Sequence, residues 1–365
     1  MAIDFSPERW DKVRETYRQW WAGELRRPIV ELVLTGRDPG RPQPKAPVLS
    51  QATCADLTIP AEDLIDRLDY ELSREVYLGD SFPMVNMHMF GPGIGAAFLG
   101  ARLDNSTGGV WFHPPADIPI EELHLSYDSD NIWLRRVKEI CAAAMKRWQG
   151  QVLVGMTDLG GALDILSTFR PSEKLPMDLV DSPEEVKRLI GELHDLWFRF
   201  YTEIDAVLQP VNPGYSAWCQ IFSDQPFYIY QCDFSYMISP DMFREFVRDE
   251  LEASSHQLPR CFYHLDGRGQ LPHLDMILAM ERIDGVQWVP GDGAPDPDHW
   301  IDVYRRIFAA GKKTQVGGVW RNAGSIRTVI REAGLGAGLH YRMWGGSLAD
   351  EKKCRQELVS LGLCD

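Results

Sequence analysis

Two ionisable side chains lie two residues apart in the stretch CFYHLDGRGQ, where His264 and Asp266 interrupt an otherwise apolar run. Residues two apart on a β-strand point to the same side, so this spacing predicts an imidazole and a carboxylate on one shared face. Such a pair can transfer a proton, or it can hold a zinc ion through nitrogen and oxygen. The glycine that follows at once predicts that the strand ends here, with both groups at its terminus.

Eight β-rich runs recur along the chain, and most of the later ones are separated by stretches with helical spacing of apolar residues. The runs are Ile29–Thr35, Pro83–Met89, Val152–Asp158, Tyr215–Phe222, Cys261–Leu265, Gly285–Val289, Lys313–Val319 and Gly338–Trp344. Strands that alternate with helices predict a parallel sheet. Eight such units predict an α/β fold of the (β/α)8 TIM-barrel type, as one domain over residues 1–365. Residues 1–27 are predicted to form an N-terminal helical cap, since Ser6 and Pro7 provide a helix start. A doubly wound open sheet is the alternative, although no GxGxxG follows the first run.

In a barrel of this kind the active residues come from the C-terminal ends of the strands and the loops that follow. That rule predicts four catalytic residues, which are Asp158, His264, Asp266 and Arg342. The predicted substrate-binding residues are Arg37, His88, Trp218, Asp233, Trp288, Trp320 and Trp344. The tryptophans together indicate an aromatic-walled pocket for a ring, a sugar or a methylated amine, although core packing explains any one of them. Helix capping or a turn would equally explain Asp158 and Asp233.

The composition excludes several classes of partner. The chain has 365 residues and a formal net charge of −15, which disfavours nucleic acid and anionic membranes. Its seven cysteines are scattered without a CxxC pair, which fits a reducing cytoplasm. The N-terminal stretch has no apolar run typical of a signal peptide. We therefore expect a cytoplasmic protein with a small-molecule substrate, and leave open a homodimer.

Three segments resemble the uroporphyrinogen decarboxylase superfamily. They are TDLGGALDILSTFR at Thr157–Arg170, DFSYMISPDMFREFV at Asp233–Val247, and YHLDG followed by IDGVQWVPGDG at Ile283–Gly293. The likeness runs from about Val152 to the end, with a weaker echo at Phe82–Leu103. It implies a (β/α)8 barrel. It also implies either porphyrinogen decarboxylation or zinc-dependent methyl transfer that involves corrinoid proteins, thiols or methylated substrates.

The sequence departs from the decarboxylase branch of that superfamily. True decarboxylases carry an RQAGR motif, an aspartate in an FSD segment and a tyrosine in the third-strand loop. Here the first strand leads to LTGRDPG, the second reads NMHMFGPG, and Thr168 stands at the tyrosine position. Uroporphyrinogen is therefore not the expected substrate.

The sequence also departs from the thiol-directed methyltransferases, which carry His-x-Cys on the fifth strand and a later cysteine on the eighth. Here Asp266 stands where the first cysteine would, and the eighth strand offers His340 or Arg342. A thiolate zinc site is thus not implied. A zinc site made from His264 and Asp266 stays open, with His88 or His340 as the third ligand.

Several functions remain in competition. The first is transfer of a methyl group from a small methoxylated or methylamine substrate to a corrinoid on a separate protein, with Asp266, or its pair with His264, protonating the leaving atom. The second is a decarboxylase or lyase in which Arg37, Arg321 or Arg342 clamps a carboxylate. A non-catalytic ligand-binding barrel is the third, and a glycoside hydrolase would need two facing carboxylates.

Overall fold

The computed structural model describes residues 3–209, 211–334 and 336–363. The strands are β1 (Ile29–Thr35), β2 (Glu75–Gly79), β3 (Met84–Asn86), β4 (Arg102–Asp104), β5 (Trp111–His113), β6 (Leu153–Gly155), β7 (Phe227–Gln231), β8 (Arg260–Asp266), β9 (Gly285–Val289), β10 (Lys313–Val319) and β11 (Leu339–Ser347). The α-helices are α1 (Pro7–Trp21), α2 (Ala61–Ser73), α3 (Gly95–Phe98), α4 (Ile132–Trp148), α5 (Ala162–Phe169), α6 (Lys174–Asp181), α7 (Pro183–Leu208), α8 (Pro240–Phe243), α9 (Asp249–Ser255), α10 (Leu274–Leu278), α11 (Ile301–Ala309), α12 (Ala323–Ala333) and α13 (Glu351–Ser360).

A parallel-rich sheet organises this mixed α/β fold. Its strands follow the order β2-β1-β11-β10-β9-β8-β7, and all neighbours are parallel except the pair of β1 with β2. A second parallel pair joins β3 to β6, and β4 with β5 forms a small antiparallel hairpin. Across the described ranges, the hydrogen-bonded ladders therefore do not close into a ring.

Helix α1 packs its aromatic face against the inner side of the sheet. The Ser6 side chain accepts a hydrogen bond from the Arg9 backbone N–H, and Pro7 occupies the first turn, as the sequence predicts. The ring of Trp20 stacks on Phe262 with centroids 6.1 Å apart. Because Phe262 precedes His264 by two residues on β8, α1 lies on the N-terminal side of that histidine. It leaves the opposite end of the strands open for a site.

The predicted strand at Tyr215–Phe222 is wrong. Gln220 adopts a positive φ of 57°, so the run cannot stay extended, and Tyr215 instead pairs antiparallel with Ser223 in an isolated bridge. The fourth strand of the predicted series is instead β7, whose sequence FYIYQ begins at Phe227, five positions after Phe222. Antiparallel β2 has no counterpart among the predicted runs.

The other runs fall on strands. Those predicted at Ile29–Thr35, Gly285–Val289 and Lys313–Val319 coincide with β1, β9 and β10, while the other four overlap β3, β6, β8 and β11. None of the helices in the described ranges is long and apolar enough to cross a membrane. The single domain over residues 1–365 and the cap over residues 1–27 stay predictions, and residues 1, 2, 364 and 365 lie outside the described part.

Candidate active site

A row of polar residues crosses five neighbouring parallel strands at one level. Gln231 on β7 lies in register with His264 on β8, and His264 lies in register with Gln287 on β9. Gln287 pairs with Gln315 on β10, which in turn pairs with His340 on β11. In a parallel sheet, residues in register point to the same face, so the whole row faces the inner side of the sheet.

His264 is buried in this row and lies against an aromatic wall. Only 9% of the residue is exposed. Its Nδ1 lies 2.5 Å from Oε1 of Gln287, and its Nε2 lies 3.9 Å from Oδ2 of Asp266. The ring of Trp218 meets the imidazole edge to face, with centroids 4.8 Å apart. Burial lowers the pKa of His264 and outweighs the opposing effect of the Asp266 charge, so the imidazole is neutral at neutral pH.

Asp233 joins His264 and Asp266 from the turn that follows β7. One side-chain nitrogen or oxygen of each of the three residues lies within 4.8 Å of the others. Although Asp233 has exposed atoms, burial of its carboxyl group and the charge of Asp266 raise its pKa to about 6. Asp233, which follows another strand, thus joins the two residues that the sequence predicts on a shared face.

A cavity of about 520 Å³ opens beside Asp233, and Asp164 forms part of its lining. The carboxylate of Asp164 accepts hydrogen bonds from the backbone N–H groups of Phe234, at 2.7 Å, and of Asp233, at 3.1 Å. Burial and then the charge of Asp233 raise the pKa of Asp164 to about 7. Sequence reasoning missed Asp164, because an aspartate in the first turn of a helix reads as an ordinary cap.

Asp158 is buried near the same acids, with only 6% of the residue exposed. It accepts a hydrogen bond from the Gly160 backbone N–H at 3.0 Å. Burial is the main cause that raises its pKa to about 7, and the charges of Asp233 and Asp164 add to it. Three acids with raised pKa values therefore surround one side of the site.

Arg342 lies on the other side of the inner face. It is in register with Glu31 on β1, and its Nε is 4.0 Å from Oε2 of that carboxylate. Glu31 is 1% exposed and was missed by sequence reasoning, since a single acid inside an apolar strand carries no spacing signal. Burial and then the positive charge of Arg342 lower the pKa of His88, so His88 belongs to this side.

The predicted tryptophans take different positions. Trp218 contacts His264 as described, and Trp344 is half-exposed in the second half of β11, with its ring over Gly317. Trp288 alternates with Gln287 on β9 and so faces away from the site, where it packs on Trp300 with centroids 5.3 Å apart. The structure therefore does not bring Trp288 to the pocket.

Two further predicted residues contact other partners. Trp320 is buried just after β10, and the guanidinium of Arg321 lies 4.9 Å from its ring centroid. Arg37 lies 3.8 Å from a carboxylate oxygen of Asp4 and donates to the Ser73 carbonyl at 3.5 Å.

The group of Asp233, His264 and Asp266 offers one nitrogen and two carboxylate donors, a set that zinc accepts. A cation there would offset the repulsion from Asp266 that adds to burial in raising the pKa of Asp233. Since direct ligands lie about 2.0–2.2 Å from zinc, the three donors would draw closer together on binding. His340, one of the two predicted third ligands, is fully buried and hydrogen-bonded to Tyr17 and Gln315 instead.

Comparison with known proteins places the fold. No protein-family model matches the sequence, and a search of curated proteins returned no match. Among solved structures, the chain is similar to a methyltransferase from Methanosarcina mazei, with a TM-score of 0.53 and 12% sequence identity. The similarity covers 88% of this chain and 95% of that chain. At this identity the likeness concerns the fold.

Proposed function

We propose that this chain is a methyltransferase-like enzyme that removes a methyl group from a small methoxylated or methylamine substrate. The observation that carries the proposal is the group of Asp233, His264 and Asp266 at the ends of adjacent strands, with the pKa of Asp233 raised to about 6. A carboxyl group with a pKa near working pH can donate a proton efficiently. The methyltransferase fold of the similar structure supports the same reaction class.

The reaction needs a proton at the leaving atom. A nucleophilic acceptor supplies the electron pair for the new bond to the methyl carbon, and the carbon–oxygen or carbon–nitrogen bond breaks with its pair left on the heteroatom. Asp233 gives its proton to that heteroatom, so the product leaves as a neutral alcohol or amine. This assigns to Asp233 the acid role that sequence reasoning gave to Asp266, whose charge instead raises the pKa of Asp233.

The cavity lining favours a neutral or cationic substrate over a carboxylic acid. Asp164 and Asp233 both line it, and a substrate carboxylate would face their charges. Among the described lining residues, the basic side chain is Arg170, which already makes a two-pronged ion pair with Asp178 at 2.6 and 3.0 Å. This arrangement supports methyl transfer over the decarboxylase alternative.

The acceptor and the metal remain part of the proposal. We infer a corrinoid carried by a separate cytoplasmic partner protein as the methyl acceptor. In a metal-bound form of the site, a zinc ion held by Asp233, His264 and Asp266 would take the place of the Asp233 proton and act as the Lewis acid toward the leaving heteroatom. His264 would present Nε2, and the two aspartates would each present one oxygen.

We also infer that the sheet belongs to a (β/α)8 barrel of the uroporphyrinogen decarboxylase superfamily type. The strands β1, β3 and β6 to β11 supply the eight that such a barrel needs. Side-chain hydrogen bonds span its two breaks. Ser81, just before β3, donates to the Leu32 carbonyl on β1 at 3.1 Å, and the Leu159 N–H, beyond β6, donates to the Tyr228 hydroxyl on β7 at 2.9 Å.

The test is transfer of an isotopically labelled methyl group from a panel of methoxylated compounds and methylamines to free reduced corrinoid. We expect a methylated corrinoid with at least one panel member, and no product with His264→Ala, whose circular dichroism and thermal unfolding should match those of the wild type. Release of carbon dioxide from small acids without methyl transfer would instead establish the lyase alternative. Wild-type turnover by His264→Ala would show that the site lies elsewhere.

A further inference from the structure

We propose that Gln287 and Gln315 are positioning residues that fix the tautomer of His264, with the proton on Nδ1 and the lone pair of Nε2 turned toward Asp266. The inference deepens the proposed function, because it defines which ring nitrogen does the chemistry. It rests on a chain of hydrogen bonds whose direction is set by a single backbone carbonyl.

The direction begins at Cys219, whose backbone oxygen can only accept. Nε2 of Gln315 donates to that oxygen at 2.6 Å, so Oε1 of Gln315 must face the other way. That oxygen accepts from Nε2 of Gln287 at 2.5 Å. Oε1 of Gln287 is thereby turned toward Nδ1 of His264, at 2.5 Å. An oxygen acceptor at that distance requires a hydrogen on Nδ1, and Nε2 of the neutral ring is left as an acceptor.

The same anchor sets the opposite tautomer at the far end of the row. The second N–H of Gln315 lies 3.2 Å from Nδ1 of His340, so that nitrogen accepts and Nε2 carries the proton. Nε2 of His340 lies 2.8 Å from the hydroxyl of Tyr17, which donates in turn to Glu31 at 2.5 Å. Every step thus runs from a donor to an acceptor and ends on a carboxylate.

The packing holds this order in place. Gln315 is 3% exposed, and His340 and Tyr17 are fully buried. If the side-chain amide of Gln287 or of Gln315 were flipped, its oxygen would face another oxygen acceptor, or its N–H group would face another N–H donor. Bulk water does not reach the buried Gln315, His340 and Tyr17 to relieve such a contact. The hydrogen bonds of the row can therefore all form in one direction only.

The functional consequence lies at Nε2 of His264, which is 3.9 Å from Asp266. With the proton on Nδ1, the lone pair of Nε2 can bind a cation beside the two aspartates. With the proton on Nε2, the ring would be a donor toward two carboxylates and could hold no metal ion. The glutamine pair therefore decides whether this group of three can act as a site.

The experiment is ¹⁵N NMR of the full-length protein labelled in its histidine rings, because a protonated and a bare ring nitrogen have distinct chemical shifts. Spectra of His264→Ala and His340→Gln assign the two signals. In the wild type we expect His264 protonated on Nδ1 and His340 on Nε2. Gln287→Met should release His264 into a mixture of tautomers and leave His340 unchanged.

Gln231→Met is the matched control. Gln231 flanks His264 in register on the other side, and its Oε1 has no hydrogen-bond partner within the described residues, so this variant should leave the His264 tautomer unchanged. Titration with zinc alone gives a second measurement, and we expect Gln287→Met to weaken binding about 10-fold or more. A wild-type His264 protonated on Nε2, or a Gln287→Met variant with an unchanged Nδ1 proton, would overturn the inference.

The outcome is separable from that of the proposed function. The expected tautomers with no methyl transfer to any acceptor would reject the function and leave the positioning role standing. Methyl transfer together with a His264 protonated on Nε2 would support the function and reject the positioning role.

Discussion

Asp158→Asn should stabilise the folded protein at neutral and alkaline pH. The residue is 6% exposed, and the pKa of its carboxyl group is raised from 3.8 to about 7, mainly by burial. Folding therefore places an ionised group where the neutral form is preferred. Asparagine has the same shape without the charge, and its side-chain oxygen can still accept the hydrogen bond from Gly160.

The magnitude follows from the shift of about 3 pKa units, each of which is about 1.36 kcal/mol. Because the folded-state pKa is raised, Asp158 disfavours folding progressively as pH rises from about 4 to about 7, and the penalty is constant above that. We expect the variant to gain about 4 kcal/mol of unfolding free energy at pH 8, as an upper estimate. At pH 5 the expected gain falls to about 2 kcal/mol, since the folded wild type keeps its proton there.

The assay is urea unfolding of both proteins at pH 5 and pH 8, analysed by linear extrapolation with a shared slope. Asp302→Asn is the control, because this exposed aspartate pairs with Arg305 on the surface at 3.1 Å and should change stability by less than about 1 kcal/mol at either pH. A stability difference for Asp158→Asn that stays the same at both pH values would refute the argument, since it would mean that the carboxyl group does not titrate between them.

Two further predictions concern the site, and a third concerns the buried hydrogen-bonded row. The rate of methyl transfer should fall as pH rises through about 6, because Asp233 loses its proton there. Asp233→Asn should lower the rate by about 10²-fold or more. An unchanged rate in this variant would show that Asp233 is not the acid. Asp266→Asn should move that fall to lower pH, because burial alone would then raise the pKa of Asp233 without the added charge of Asp266. It should also weaken zinc binding measured by calorimetry, and an unmoved pH profile would contradict the coupling. Tyr17→Phe should lower the unfolding free energy by about 1–3 kcal/mol, since Glu31 loses its buried donor, and an unchanged urea midpoint would count against this.

The sequence predicts strands where local chemistry decides the outcome. The runs at β1, β9 and β10 coincide with the observed strands because each combines β-branched residues with a clear end. The run at Tyr215–Phe222 is also rich in aromatic and apolar residues, yet it folds back because Gln220 takes a left-handed conformation that no local pattern signals. Composition cannot tell an extended run from one whose backbone turns for tertiary reasons.

The strand-end rule marks Asp233 as a candidate residue, but the geometry of the site is predictable only where it is local in the chain. His264 and Asp266 were found because a spacing of two fixes their common face. Asp164 and Asp233 lie on different elements, and their approach depends on how α5 meets the turn after β7, which no spacing rule contains. Trp288 shows the converse, since a position near a strand end did not reveal that its side chain faces away from the site.

The buried row illustrates a further limit and its physical reason. Whether Gln287 lies beside His264 or beside a neighbouring residue depends on strand register, which is set by the packing of whole strands and helices. Polar groups in such a place destabilise the fold unless each one finds a partner. Replacing the inner members with apolar residues of similar size would avoid that risk and would serve stability alone equally well. A row that runs in one direction from His264 to the carboxylate of Glu31 therefore fits the positioning role that we propose for Gln287 and Gln315 better than a contribution to folding alone.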